Sequence, residues 1–291
     1  MENPTKNKYR PVLIFLSITF ALSSIFYFLI IYSGKISGGV GQYGMALMWC
    51  PGISAFITMK ILKRNISDLG WKWGKTKYQV WSYFIPFFYT LIAYVIVWSV
   101  GWGGFYNKEG VINLTKSFGL GEIGDGTIIV LTFLFLGVFG IISSMASALG
   151  EEIGWRGFLV PELYKNLGYT KTAFITGVIW VVWHTPVLLF ADYNSGTPGW
   201  YALSCFAILT VSAVFIYTWL RIKSGSLWTG VILHASHNLF IQSLFTPFTV
   251  DTGNTAYFID EFGIVLPIVV AGFAIYFWTK RKELKPVPNT V

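Results

Sequence analysis

All three histidines of this 291-residue chain, His184, His234 and His237, fall inside long apolar runs, and a carboxylate pair, Glu151–Glu152, closes another. Ionisable groups are costly in such surroundings and are kept there for function. If the segment from Glu151 to Arg156 is helical, adjacent side chains point about 100° apart, so the two carboxylates cannot share a direction. Glu152 and Arg156 stand four apart and can pair on one face. That leaves Glu151 to face a cavity, and a carboxylate without a cation at a low-dielectric boundary suits a general base. His234 and Asn238 are also four apart and can together donate to a developing oxyanion. His237, three residues on from His234, can join them. His184 is followed by Thr185-Pro186, and the proline is expected to break or kink the helix just past the histidine. Taken singly, each feature has a plainer reading: a Glu–Arg pair capping a helix, hydrogen bonds between helices, a packed histidine. Taken together, they supply a base and oxyanion donors, which is what water attack on an amide needs.

The elements that must position these groups are membrane helices. Hydrophobic residues make up 54% of the chain and charged residues only 12%, about half of what a soluble domain uses to coat its surface. Eight apolar segments approach the roughly 20 residues that a spanning helix needs: Pro11–Tyr32, Gln42–Met59, Gln79–Gly101, Thr127–Leu149, Thr172–Phe190, Trp200–Leu220, Ser226–Thr246 and Gly263–Thr279. None contains Lys, Arg, Asp or Glu. Lipid offers backbone groups no partner, and the segments lack the alternation of a barrel, so helices are expected. The small-residue run Ser143–Gly150 is what close helix approach requires. The expected fold is one all-α integral membrane domain over residues 1–291, with the motif-bearing core at about 127–246. The glycine-rich stretch Trp102–Gly126 is read as loop, and Lys285–Val291, with two prolines, as a loose tail.

Charge supplies the topology. Of the 21 basic residues, 18 fall in the amino-terminal segment, the second, fourth and sixth connections and the carboxyl tail; only Lys35, Lys108 and Lys116 lie on the other side. The positive-inside rule then puts both termini in the cytoplasm, which requires an even number of spans. The first segment is longer than a signal-peptide core and no small-x-small cleavage site follows, so it is read as a retained anchor. The net charge of +8 follows from topology and attraction to anionic lipid, with no call for nucleic acid. Cys50 and Cys205 each sit in an apolar run and read as packing residues. Measured from the expected cytoplasmic helix ends, His234 lies about 12 Å deep and His184 about 18 Å. Glu151 must therefore reach inward, or its helix must continue deeper than the apolar run alone indicates.

The motifs Glu151-Glu152-x-x-x-Arg156, aromatic-x-x-x-His184 and His234-x-x-x-Asn238, in that order on separate helices, resemble the CPBP family of intramembrane proteases. That family includes type II CAAX prenyl endopeptidases and bacteriocin-immunity and lysostaphin-resistance-like proteins. The motifs occupy roughly residues 143–242, and the eight-span layout extends the likeness. The family's second motif usually begins with Phe where this chain has Trp180, which is expected to alter substrate fit. The resemblance implies peptide-bond hydrolysis within the membrane at a site opening toward the cytoplasm. It assigns Glu151 and His184 to water activation, His234 and Asn238 to the oxyanion, and Glu152 and Arg156 to ordering the site. His237 lies outside the pattern. The family is described both as metalloproteases and as glutamate proteases. With no His-Glu-x-x-His pair here, a metal-free site is favoured; if zinc were bound, Glu151, His184 and His234 would be its ligands.

Three functions compete. The first is an active intramembrane endopeptidase acting on a membrane-associated peptide or protein, prenylated where the host prenylates proteins. The second is a silent immunity or partner protein on the same scaffold, since fold alone does not guarantee activity. The third is a proton-coupled transporter using Glu and His as a relay, for which inverted repeats would speak; the sequence holds none. In each case the protein is multi-pass, and in a bacterium it would sit in the plasma or inner membrane.

Overall fold

The structure, a computed structural model, describes residues 8–33, 41–109, 112 and 125–284. The expected loop Trp102–Gly126 lies mostly outside the described residues, and the tail Lys285–Val291 wholly so. The fold is an all-α bundle of apolar helices: α1 (Arg10–Ser33), α2 (Gln42–Ile61), α3 (Thr76–Val100), α4 (Asp125–Phe135), α5 (Ile141–Glu152), α6 (Val160–Phe190), α7 (Gly199–Ser224), α8 (Trp228–Asn238) and α9 (Val265–Thr279). Among the described residues, five helical stretches are long and apolar enough to cross a membrane: Arg10–Ser33, Gln42–Ile61, Thr76–Val100, Ile129–Phe190 and Gly199–Ser224. Several hydroxyls inside these helices bond back to their own backbone, as in Thr19 to the Phe15 carbonyl, Ser54 to Cys50 and Thr58 to Ser54, which spares those positions an unpaired donor.

The stretch Ile129–Phe190 departs from expectation. The apolar span expected to end at Leu149 does not end the helix, and the fourth connection is itself helical. A π-helical segment, Ile153–Leu159, joins α5 directly to α6, and the only non-helical backbone in α6 is at Gly168, with φ 68° and ψ 179°. Positive φ is cheap only for glycine, so the bend falls there. The helix continues through the charges because Glu152 and Arg156 neutralise each other one turn apart, while Ile153, Trp155, Phe158 and Leu159 are all buried. Pro186 does not break α6 either; the helix runs through it to Phe190. Thr185 Oγ1 donates to the Val181 carbonyl in this turn.

Helix α2 crosses α5 at very short range. A methyl group on Gly154 would lie 2.4 Å from Pro51 Cβ and 2.7 Å from the Pro51 carbonyl oxygen, and one on Gly52 would lie 2.6 Å from the Gly150 carbonyl oxygen. Only glycine permits this approach. Helix α8 packs against α3 and α5, and α7 lies between α6 and α9. The two ends of the bundle form separate contact sets. At one end, the antiparallel pair β1 (Gly104–Phe105) and β2 (Thr249–Val250) ties the third connection to the seventh, and Ser195 Oγ donates to Asp260, tying the fifth to the seventh. At the other end, Arg64 pairs with Glu162, Lys223 with Glu283, and the Leu227 amide donates to the Gly70 carbonyl.

Candidate active site

Helices α5, α6 and α8 bring the motif residues to one cavity of about 330 Å³, whose lining includes Glu151, Trp180, His184, His234 and Asn238. Two of the motifs end in π-helical backbone: Ile153–Leu159 follows Glu151–Glu152, and Leu239–Phe245 follows His234 and Asn238. Such wide turns are rare and cluster at functional sites.

The two glutamates diverge as their helical spacing requires. Glu152 is fully buried; its Oε1 accepts from Arg156 Nη1 at 2.8 Å and from His234 Nδ1 at 3.0 Å. Arg156, also fully buried, lies 4.2 Å from the ring centre of Trp180 and 3.9 Å from that of Tyr217. Its backbone carbonyl accepts from Arg221 Nε at 2.8 Å. Glu151 has no cation beside it and lines the cavity, but it is not bare. Its Oε2 accepts from Trp180 Nε1 at 2.7 Å and from Trp155 Nε1 at 3.2 Å. Trp180 therefore does more than shape the substrate space: its indole donates directly to Glu151, which a phenylalanine at that place cannot do.

Partners fix the histidine tautomers. His184 Nδ1 lies 3.0 Å from the Trp180 carbonyl, which only accepts, so Nδ1 carries the proton and Nε2 is left as an acceptor. His234 donates from Nδ1 to Glu152, so its Nε2 is the nitrogen left for a ligand. The ring of His184 packs against Trp183 and Phe206, and that of His234 against Trp180. Among the described residues, no three His, Cys, Asp or Glu side chains converge closely enough to hold a metal ion. Glu151, His184 and His234 each have one ligating atom engaged by protein, and Glu151 Oε1 and the two Nε2 atoms are the ones left for a ligand.

A second polar cluster lines the same cavity. Glu261, from the loop between β2 and α9, accepts from His237 Nε2 at 3.0 Å, Gln242 Nε2 at 3.2 Å and Tyr193 OH at 3.2 Å. His237 Nδ1 in turn accepts from Tyr89 OH at 2.6 Å. Glu261 lies in the polar connection between two apolar segments and belongs to no spaced motif, so only its placement beside His237 reveals it. The neighbouring Asp260 is pushed up to about 6 by burial and by repulsion from Glu261. Burial acts the same way on Glu261, but the His237 hydrogen bond and the nearby imidazoles outweigh it and hold that carboxyl below its ordinary value.

Residues 118–240 match the family model described as type II CAAX prenyl endopeptidase Rce1-like. The chain is also similar to CAAX prenyl protease 2 of Methanococcus maripaludis, with 27% identity over 253 residues, covering 80% of this chain and 84% of that protein. Neither finding favours the silent-partner or transporter reading. Both similarities support reading this bundle of apolar helices, with its buried glutamate beside two imidazoles, as an intramembrane protease of the CPBP and CAAX type.

Proposed function

We propose that the chain cleaves a peptide bond of a membrane-associated peptide or protein with water activated by Glu151, without a metal. The observation that carries this reading is the convergence of Glu151, His184, His234 and Asn238 from three helices on one cavity. Water held between Glu151 and the Nε2 lone pair of His184 gives its proton to Glu151 as its oxygen attacks the carbonyl carbon. The carbonyl electrons move onto oxygen, where the Asn238 amide and an Nε2–H of protonated His234 donate to the oxyanion. Glu152 favours that charged imidazole by holding its Nδ1–H. Collapse of the intermediate breaks the C–N bond, and the leaving amine takes the proton from Glu151. A cavity of about 330 Å³ is at the small end of ligand sites, which suits a short extended segment.

The same proposal includes eight spans, both termini in the cytoplasm and a site open to that side. Contacts support it: connections that share a side under this topology touch one another at each end of the bundle. The Methanococcus relative is named for prenylated substrates; here the substrate would be prenylated in a host that prenylates proteins and a plain membrane peptide otherwise. The test compares peptide products by mass spectrometry from cells carrying wild type and Glu151→Ala. Products that vanish in the variant support the reading, and an immunity or processing phenotype that survives it overturns it. Activity of purified protein that is lost in strong chelator and restored by zinc would overturn the metal-free part alone.

A further inference from the structure

The cavity carries a charge pattern that the reaction does not explain. Its lining includes two carboxylates, Glu151 and Glu261, and among the described residues no lysine or arginine. Glu261 is 4% exposed. It is held one to two helical turns farther along α8 and its π-helical continuation than Glu152: Glu152 meets His234, whereas Glu261 meets His237 and Gln242. Its three donors are neutral or titratable, and none is a permanent cation. A carboxylate accepts at about four lone-pair positions, and three are taken here. Asp260, behind it, accepts from the Glu261 amide at 2.7 Å and from Ser195 Oγ at 3.1 Å, and so turns away from the cavity. Of the pair, Asp260 is the one that takes up a proton first, which leaves the charge on the cavity side.

We propose that Glu261 is a specificity-determining residue: its carboxylate receives a cationic side chain of the bound peptide near the scissile bond and turns away acidic side chains. The inference rests on the hydrolase reading for its biological meaning but not for its test. In a water-poor cavity a fixed negative charge discriminates strongly between ligands of opposite sign, and neither base nor oxyanion donors need a second carboxylate there.

The experiment measures binding, so it does not depend on turnover. The full chain in nanodiscs, carrying Glu151→Gln to remove the other carboxylate, is titrated with short, fluorescein-labelled, C-terminally amidated peptides. These bear Lys, Gln or Glu at each position in turn. At one position Lys is expected to bind at least about tenfold more tightly than Glu. Adding Glu261→Gln should collapse that ratio toward one, and Glu261→Asp should retain it in part. Equal binding of Lys and Glu peptides at every position would overturn the proposal, and that outcome requires no Glu261 variant to fold. So would a preference that persists undiminished in Glu261→Gln. Cleavage by the Glu151-intact protein is scored separately. Its absence with the Lys preference intact would strike the hydrolase reading alone, and the reverse pattern would strike this inference alone.

Discussion

Glu151 and Glu152 are sequence neighbours with unlike tasks, and single substitutions should separate them. Glu151 touches two indoles and the cavity, so Glu151→Gln, which keeps an acceptor oxygen, should lower turnover by roughly 10²–10⁴ with little change in thermal unfolding. Glu152 compensates a fully buried arginine, so Glu152→Ala should destabilise by about 3–5 kcal/mol, read as a fall in the unfolding midpoint in detergent. Trp180→Phe restores the family's usual residue and should leave turnover within about tenfold, since the second donor, Trp155, remains. Asp260 makes a pH-dependent prediction. Its folded value of about 6 lies above the ordinary carboxylate range, so folding favours its protonated form. That stabilisation is complete below about pH 4 and is lost as pH rises through 6. Asp260→Asn keeps the hydrogen-bonding shape without the charge. The variant's gain in unfolding temperature should be near zero at pH 4 and reach its full size above pH 7.

At the level of elements, glycines set how close the helices that line the cavity come. Gly230 on α8 faces the buried pair: a methyl group there would lie 2.5 Å from Glu152 Oε2 and 3.2 Å from Arg156 Cγ. Glu152 is pinned by Arg156 and His234 and cannot yield. Gly230→Ala should therefore cost both stability and activity, measured as a lower unfolding midpoint together with at least a tenfold loss of cleavage. The α2–α5 crossing at Gly52, Gly150 and Gly154 is equally intolerant, because the obstructing atoms there include backbone. The Ser143–Gly150 run announces such a crossing by composition alone. The helical path through residues 150–171 is not legible that way. Charges normally end an apolar span, and only the neutralising Glu152–Arg156 contact and the buried flanks of Ile153–Leu159 keep the helix inside the bundle.

For the whole molecule, the two contact sets at opposite ends of the bundle make the topology testable. With the buried Cys50 and Cys205 replaced by alanine, a cysteine at exposed Phe105 should react with an impermeant thiol reagent from outside intact cells. One at exposed Lys282 should react only after the membrane is opened. The converse labelling pattern would invert the protein.

The sequence by itself determined the class of molecule and named the candidate reacting groups. Apolar length forces helices where lipid offers no hydrogen bonds, and spacing of four residues places Glu152 with Arg156 and His234 with Asn238, because both rules are local. Tertiary structure alone decided what each group touches. The indole of Trp180 on Glu151, the tautomer of His234, and above all Glu261 against His237 join residues 24 to 82 positions apart. No periodicity records which faces of distant helices meet. That is settled by packing, here by glycines close enough to bring one backbone against the next.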